Sequence, residues 1–164
     1  MTALVSRSHL APTMFSSFTR TLPEISIFHH STSPPSVKAL ALLRSALSSP
    51  YPPGKASAQP LQFNLEVVEA PPTADQLSTI LSYLPSKYSS ESPASVFLST
   101  HPSASSAENK GVAGVSSIGS SNPNTFKWPV VVDWNAGNAS VGDVEGVKGI
   151  LELIRQKRDG ETPK

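Results

Sequence analysis

Residues 25–47, ISIFHHSTSPPSVKALALLRSAL, run from a strand pattern through a polar turn into a helix pattern. Ile25–Phe28 is rich in β-branched and aromatic residues, which predicts a strand. Ser33 suits the N-cap of a helix, and Pro34 suits the first helical position, where no N–H is needed. Apolar residues then recur at helical spacing, so the sequence predicts a helix with a wide buried side.

The next two segments repeat this alternation of strand and helix. In FNLEVVEA, residues 63–70, apolar and polar side chains alternate, which predicts a half-buried strand. Thr73 and Gln76 have the spacing of a capping box. The helix predicted after them carries its apolar residues at i, i+3, i+4 and i+7, namely Leu77, Ile80, Leu81 and Leu84.

Residues 85–127 are rich in Ser, Ala, Pro, Gly and Asn. One short apolar piece stands out at Val96–Leu98. A loop of this length is uncommon inside a compact domain, so we predict disorder for residues 101–125. A short helix is the alternative, because Val112, Val115 and Ile118 recur at helical spacing.

Order returns with WPVVVDW, residues 128–134, an apolar run that predicts a buried strand. A turn follows, and Ala139–Val141 is predicted to return as an antiparallel strand. Asp143 is placed to cap a last helix, which Gly160 is placed to end.

The predicted element order is β-α-β-α-β-β-α. It indicates an α/β fold with a central mixed four-stranded sheet flanked by helices, which is the thioredoxin-like plan. We predict one domain over residues 23–160, an insert near 99–126 that is disordered or partly helical, and a tail over 161–164.

The composition excludes several kinds of chemistry. The 164 residues include no cysteine, so disulfides, thiolate metal sites and thiol exchange by this chain alone are excluded. The formal net charge of +1 gives no broad attraction for nucleic acid. No run of 18 apolar residues is present, so no membrane span is predicted.

The first 23 residues contain no Asp or Glu, but they do contain Arg7, Arg20 and many hydroxyl side chains. This composition is typical of an organelle transit segment. We therefore predict a leader over residues 1–22, with a disordered basic terminus as the alternative.

Three stretches resemble a fungal family of thioredoxin-like mitochondrial proteins whose redox role is inferred from the fold. They are PEISIFHHSTSPPSVKALALL (23–43), FNLEVVEAPPTADQLSTILSYL (63–84) and FKWPVVVDWNAGNASVGDVEGVKGIL (126–151). The resemblance implies mitochondrial residence and the reduction of small oxidised or toxic molecules. Some members carry a cysteine in the segment before the VDW strand, but residues 85–127 carry none here, so no catalytic residue carries over.

The turn after the first strand is also similar to that of arsenate-reductase-like thioredoxin folds, in which Tyr-His-Asn-Pro-x-Cys precedes the helix. Phe28-His29 matches the start of that motif, and Ser33 stands where the cysteine would be. Ser33, His29 and His30 are therefore weak catalytic candidates. A serine alkoxide is too high in energy without an adjacent base, so a plain N-cap is the favoured role of Ser33. The hydroxyls of Ser31, Thr32 and Ser33, together with helix N–H groups, are predicted to bind a carboxylate or oxyanion.

Trp128-Pro129 is the second predicted part of the ligand site. The fold resemblance implies a cis-proline that starts the third strand and exposes backbone to a small-molecule or peptide ligand; a trans proline with a packing tryptophan is the alternative. For Asp133, a turn-binding role is favoured over a catalytic one. No metal site is predicted, because adjacent histidines on a strand point to opposite faces.

Two functions remain open from the sequence. One is a mitochondrial thioredoxin-like oxidoreductase that binds no resident cofactor and uses glutathione as an external thiol. The other is a cysteine-free, non-enzymatic thioredoxin-like binding module. The sequence does not decide the oligomeric state.

Overall fold

The computed structural model describes residues 21–99 and 111–161. Nearly all of the predicted leader, residues 100–110 of the predicted insert and most of the predicted tail lie outside the described residues. The predictions made for those parts of the chain stay predictions.

Four strands form one mixed sheet in the order β2-β1-β3-β4. β1 pairs with β2 in parallel and with β3 antiparallel, and β3 pairs with β4 antiparallel. The strands are β1 (Glu24–Phe28), β2 (Asn64–Val68), β3 (Val130–Asp133) and β4 (Asn138–Val141), and the helices are α1 (Pro34–Ser48), α2 (Ala74–Tyr83), α3 (Pro93–Phe97), α4 (Gly111–Ser121) and α5 (Val144–Asp159). The predicted fold class and the predicted order of its main elements are confirmed.

The alternation along β1 builds two cores, one on each face of the sheet. Ile25 and Ile27 point toward α1 and α5, where they meet Val131 and Leu151. Phe28 points to the other face, toward α2, α3 and α4. Successive strand residues face opposite sides, so this one short strand contributes buried side chains to both layers of helices.

The helix ends follow the predicted signals. Thr73 and Gln76 form the full capping box at the start of α2, and Asp143 accepts hydrogen bonds from Glu145 and Gly146 at the start of α5. Gly160 ends α5 in the left-handed conformation, with φ of 73°. No helix in the described ranges is both long and apolar enough to cross a membrane.

Part of the stretch for which disorder was predicted, with a short helix as the alternative, is helical in the structure. α4 spans Gly111–Ser121 and packs against α2 and α3. Val115 is fully buried, and a Cβ at Gly119 would approach Phe126 to 2.9 Å. This helix is hard to predict from the sequence because glycine and serine have low helix propensity. Tertiary packing of its few apolar residues stabilises it.

The last turn of α5 forms hydrogen bonds with the proline-rich loop between α1 and β2. The Arg158 guanidinium donates to the backbone carbonyls of Tyr51 and Gln59. Hydrogen bonds from Arg158 and then Arg155 lower the pKa of Asp159 to about 2, so this carboxylate stays ionised beside the two arginines across the physiological pH range.

A test of the fold is the close contact between α5 and β4. A Cβ at Gly146 would lie 2.8 Å from the Cβ of Ser140 and closer still to its hydroxyl. Ser140 is buried and its hydroxyl donates to the Asp143 carbonyl. We expect Gly146→Ala to lower the free energy of unfolding by about 1–3 kcal/mol through overpacking, as measured by urea denaturation.

The matched control is Gly149→Ala, further along α5, where an added Cβ would meet nothing within 4 Å. This change should raise the free energy of unfolding by about 0.5–1 kcal/mol, because alanine is the better helix former. Equal effects of the two substitutions would contradict the close contact between α5 and β4.

Candidate functional site

The register of the sheet brings the two predicted halves of the site together. Phe28, the last residue of β1, lies opposite Val130, the first residue of β3. The strands are antiparallel, so the residues after Phe28 leave the sheet beside those that precede Val130. The histidine turn, residues 29–36, therefore lies next to Trp128-Pro129. The peptide bond between Trp128 and Pro129 is cis.

His30 and Trp128 make the direct contact between the two halves. Their rings stack with centroids 5.3 Å apart and an angle of 25° between the planes. The His30 Nδ1 also lies 2.8 Å from the Thr32 hydroxyl oxygen. His30 is partly exposed, whereas Trp128 keeps only 6% of its surface accessible.

Contacts with Pro123 and Phe126 fix the position of the Trp128 side chain. Its indole N–H donates to the Pro123 carbonyl at 2.7 Å, and its ring packs on Phe126 with centroids 4.8 Å apart. Phe126 in turn stacks on Phe97. The segment around α4, predicted to be disordered, thus supports the aromatic surface of the site.

Ser36 organises the other side of the turn and was not among the predicted site residues. Its side chain is fully buried. Its hydroxyl oxygen accepts the backbone N–H of His30 at 3.0 Å and lies 2.7 Å from Nδ1 of His29. If the hydroxyl donates its own proton to Nδ1, all three groups are satisfied, and this arrangement assigns the His29 ring proton to Nε2.

A sequence signal for Ser36 was available. It lies four residues before Leu40 and seven before Leu43, on the buried stripe of α1. A hydroxyl at a buried helical position needs a hydrogen-bond partner, and in the structure the two histidines of the preceding turn supply it.

Ser33 occupies the N-cap position of α1, but its side chain makes no capping hydrogen bond. The predicted N-cap position of Ser33 and the predicted helix start at Pro34 are confirmed, but the Ser33 hydroxyl does not form the cap. Pro34 and Pro35 remove the first two helical N–H groups, so the third, that of Ser36, is the one left for a cap side chain, and the Ser33 hydroxyl does not accept it. The helix consequently offers few donors to an anion, because Val37 N–H already donates to the Ser33 carbonyl and only Ser36 N–H remains in the first turn.

The other predicted residues lie in the turn after β1, directly before β3 and at the end of β3. Ser31 and Thr32 are exposed at the turn, and Pro129 is buried. The carboxylate of Asp133 accepts backbone N–H groups of Asn135 and Ala136, which confirms the turn-binding role. Within the described residues no group of three His, Asp or Glu side chains could hold a metal ion.

A separate concavity of about 340 Å³ lies far from the histidine turn. Pro23 and Pro60 line it together with the end of α5. Pro23 precedes β1 and His29 follows it, so six residue steps of extended chain, about 20 Å, separate the two places. The residues that line the concavity include none of the predicted site residues.

A stability test addresses the Ser36 hydroxyl. Ser36→Ala would leave the His30 N–H and the His29 Nδ1 without their shared partner in a buried position. We expect a loss of about 1–3 kcal/mol in the free energy of unfolding, measured by urea denaturation. Ser45→Ala, on the exposed face of the same helix, should change it by less than about 0.5 kcal/mol. A Ser36→Ala variant as stable as the Ser45→Ala control would show that the hydroxyl does not hold the turn.

Comparison with solved structures supports the fold. An arsenate reductase from Vibrio cholerae superimposes with a TM-score of 0.52 at 14% sequence identity, covering 81% of this chain and 99% of that one. A putative arsenate reductase from Yersinia pestis gives a TM-score of 0.47 at 20% identity, covering 78% and 98%. At such identity the likeness to the Vibrio enzyme shows the thioredoxin-like fold alone.

Comparison of sequences identifies a protein family whose description assigns no function. No curated protein matches the chain. A family model described as "Protein of unknown function (DUF1687)" matches residues 15–142. These residues include both halves of the site, all four strands of the sheet and the helices α1 to α4. The chain therefore belongs to the DUF1687 family.

Proposed function

We propose that this protein has a reductase-type role in which an external thiol, such as glutathione, supplies the sulfur nucleophile at the histidine turn. The observation that carries the proposal is the hydrogen-bonded histidine turn at the start of α1. The Ser36 hydroxyl joins His29 to the His30 backbone, and Ser33 stands where the resemblance to arsenate-reductase-like folds places a cysteine.

The surface suits a small, extended thiol or peptide. The partly exposed His30 ring and the Ser31 and Thr32 hydroxyls offer polar contacts on one side. On the other side, the Trp128 carbonyl accepts no hydrogen bond within the described residues. A peptide amide of the ligand could donate to this carbonyl, as in strand addition.

The reaction balances with two external thiols. The thiolate of the first attacks one sulfur of the oxidised substrate, and the S–S bond breaks. The leaving sulfur takes a proton, for which His30 is the exposed imidazole at the site. The second thiol releases the first as a disulfide, so two thiols are oxidised and one substrate disulfide is reduced. No cysteine of this chain takes part.

A cysteine-free binding module is the second candidate, and the prolines at the start of α1 favour it. A helix N-terminus stabilises a thiolate through its free N–H groups and its dipole. Pro34 and Pro35 remove two of these donors, so a bound thiol gains less acidity here than at an ordinary helix N-terminus.

The deciding experiment is reduction of hydroxyethyl disulfide by glutathione in the presence of the purified chain. We expect turnover above buffer for the native chain, a lower rate for His30→Ala and an unchanged rate for Ser45→Ala. Activity that appears only in Ser33→Cys would contradict the proposal, because the scaffold would then be competent and the native chain inactive.

The binding-module candidate is tested by titrating glutathione or a short peptide into the labelled chain. Binding without turnover should shift NMR signals of residues 29–36 and 128–130. Silence in both regions would exclude the histidine turn as a ligand site under either candidate.

We also propose mitochondrial residence. The support is the acid-free composition of residues 1–23, with Arg7, Arg20 and many hydroxyl side chains. The expected mature N-terminus lies between residues 14 and 24, as measured by terminal sequencing of the protein from purified mitochondria. Recovery of the chain in the cytosolic fraction with Met1 in place would contradict the proposal.

A further inference from the structure

β2 lies at the edge of the sheet and has a free backbone side. Asn64 N–H donates to the Pro23 carbonyl, and His29 N–H donates to the Val68 carbonyl. In a parallel pair this pattern directs the backbone groups of residues 64, 66 and 68 toward β1. The N–H and C=O groups of Leu65 and Val67 therefore point away from the sheet, and no hydrogen bond within the described residues engages them.

The core beneath this edge is also incompletely covered. Four apolar side chains that pack against the α1–α5 core are only partly buried, and all of them lie on α1 or β2: Leu42, Leu47, Leu65 and Val67. Lysine, proline and bulges are among the features that blunt natural edge strands. Asn64–Val68 carries none of these three, and Glu66 is its one charged residue.

The charged side chains of residues 56–86, the segment that contains β2, are all acidic. Between Lys55 and Lys87 the sequence contains no Lys, Arg or His, but it does contain Glu66, Glu69 and Asp75. Glu66 is exposed on the face opposite α1, where one carboxylate oxygen accepts the Ser26 hydroxyl. A second copy of the chain paired at this edge would bring like charges together, which is unfavourable between neighbouring strands.

We propose that the free edge of β2 binds an extended segment of a basic partner protein by strand addition. The two faces of β2 determine the sequence of that segment. Its side chains on the α1 face are apolar and cover Leu65 and Val67, and those on the other face are Lys or Arg and lie near Glu66. This docking surface is separate from the histidine turn and does not depend on the function proposed there.

The test uses the full labelled chain and a capped heptapeptide of alternating lysine and valine. We expect the peptide to shift the NMR signals of Leu65 and Val67 and to slow hydrogen exchange of their amides. A glutamate-valine heptapeptide should do neither. Glu66→Gln should weaken binding about two- to fivefold, the size of a cross-strand charge pair.

Val67→Pro is the blocking variant, because it removes one outward N–H and leaves the ladder to β1 in place. We expect it to abolish binding; if it fails to fold, Glu66→Lys, which keeps the backbone, should reverse the preference between the two peptides. The proposal is overturned if both peptides bind alike, or if Glu66→Lys changes nothing. It is also overturned if the Leu65 and Val67 amides of the free chain already exchange as slowly as that of Ile27, because the edge would then be covered.

Discussion

The antiparallel pairing of β1 with β3 is the constraint on which the site depends. β1 lies between β2 and β3, so the register is specified on both sides by buried side chains on both faces. A slip by one residue would exchange the two faces of the strand. With Phe28 opposite Val130, the pairing of the two strands brings the histidine turn and Trp128-Pro129 together.

Two interactions then give this junction its shape. The buried Ser36 hydroxyl holds the His29 ring and the His30 backbone on the helix side. On the other side, the stack of His30 on Trp128 continues through Phe126 and Phe97 into the core under α3 and α4. His30 takes part in both sets of contacts, because its backbone N–H donates to Ser36 and its ring stacks on Trp128. Its side chain is partly exposed.

The chemistry of the site follows from what these residues lack. A thiolate at the start of a helix is stabilised by free N–H groups, and this helix begins with two prolines and no cysteine. Ser33 lies at the N-cap of α1, and the hydroxyls that contact the two histidines belong to Thr32 and to the buried Ser36. Under the function proposed above, these residues would bind the ligand and supply a proton, and an external thiol would supply the sulfur.

Much of the fold could be predicted because strong local signals agree with the tertiary structure. Three of these signals could be predicted from residues that are close together in the sequence: the capping box at Thr73, the Asp143 cap and the apolar strand in WPVVVDW. The missed features depend on contacts that the local pattern does not specify. α4 is a weak helix former held by packing. The local pattern shows that Ser36 is buried on α1, but its partners, the two histidines, are identified only in the folded chain.

The most direct measurement is a nuclear Overhauser experiment on the free chain, between the ring protons of His30 and the indole protons of Trp128. Centroids 5.3 Å apart place the ring edges within range of such contacts. The account predicts cross-peaks from His30 to Trp128 and their loss in His30→Ala. Their absence in a folded chain whose β1 and β3 signals show the expected pairing would contradict the claim that the two segments form one site.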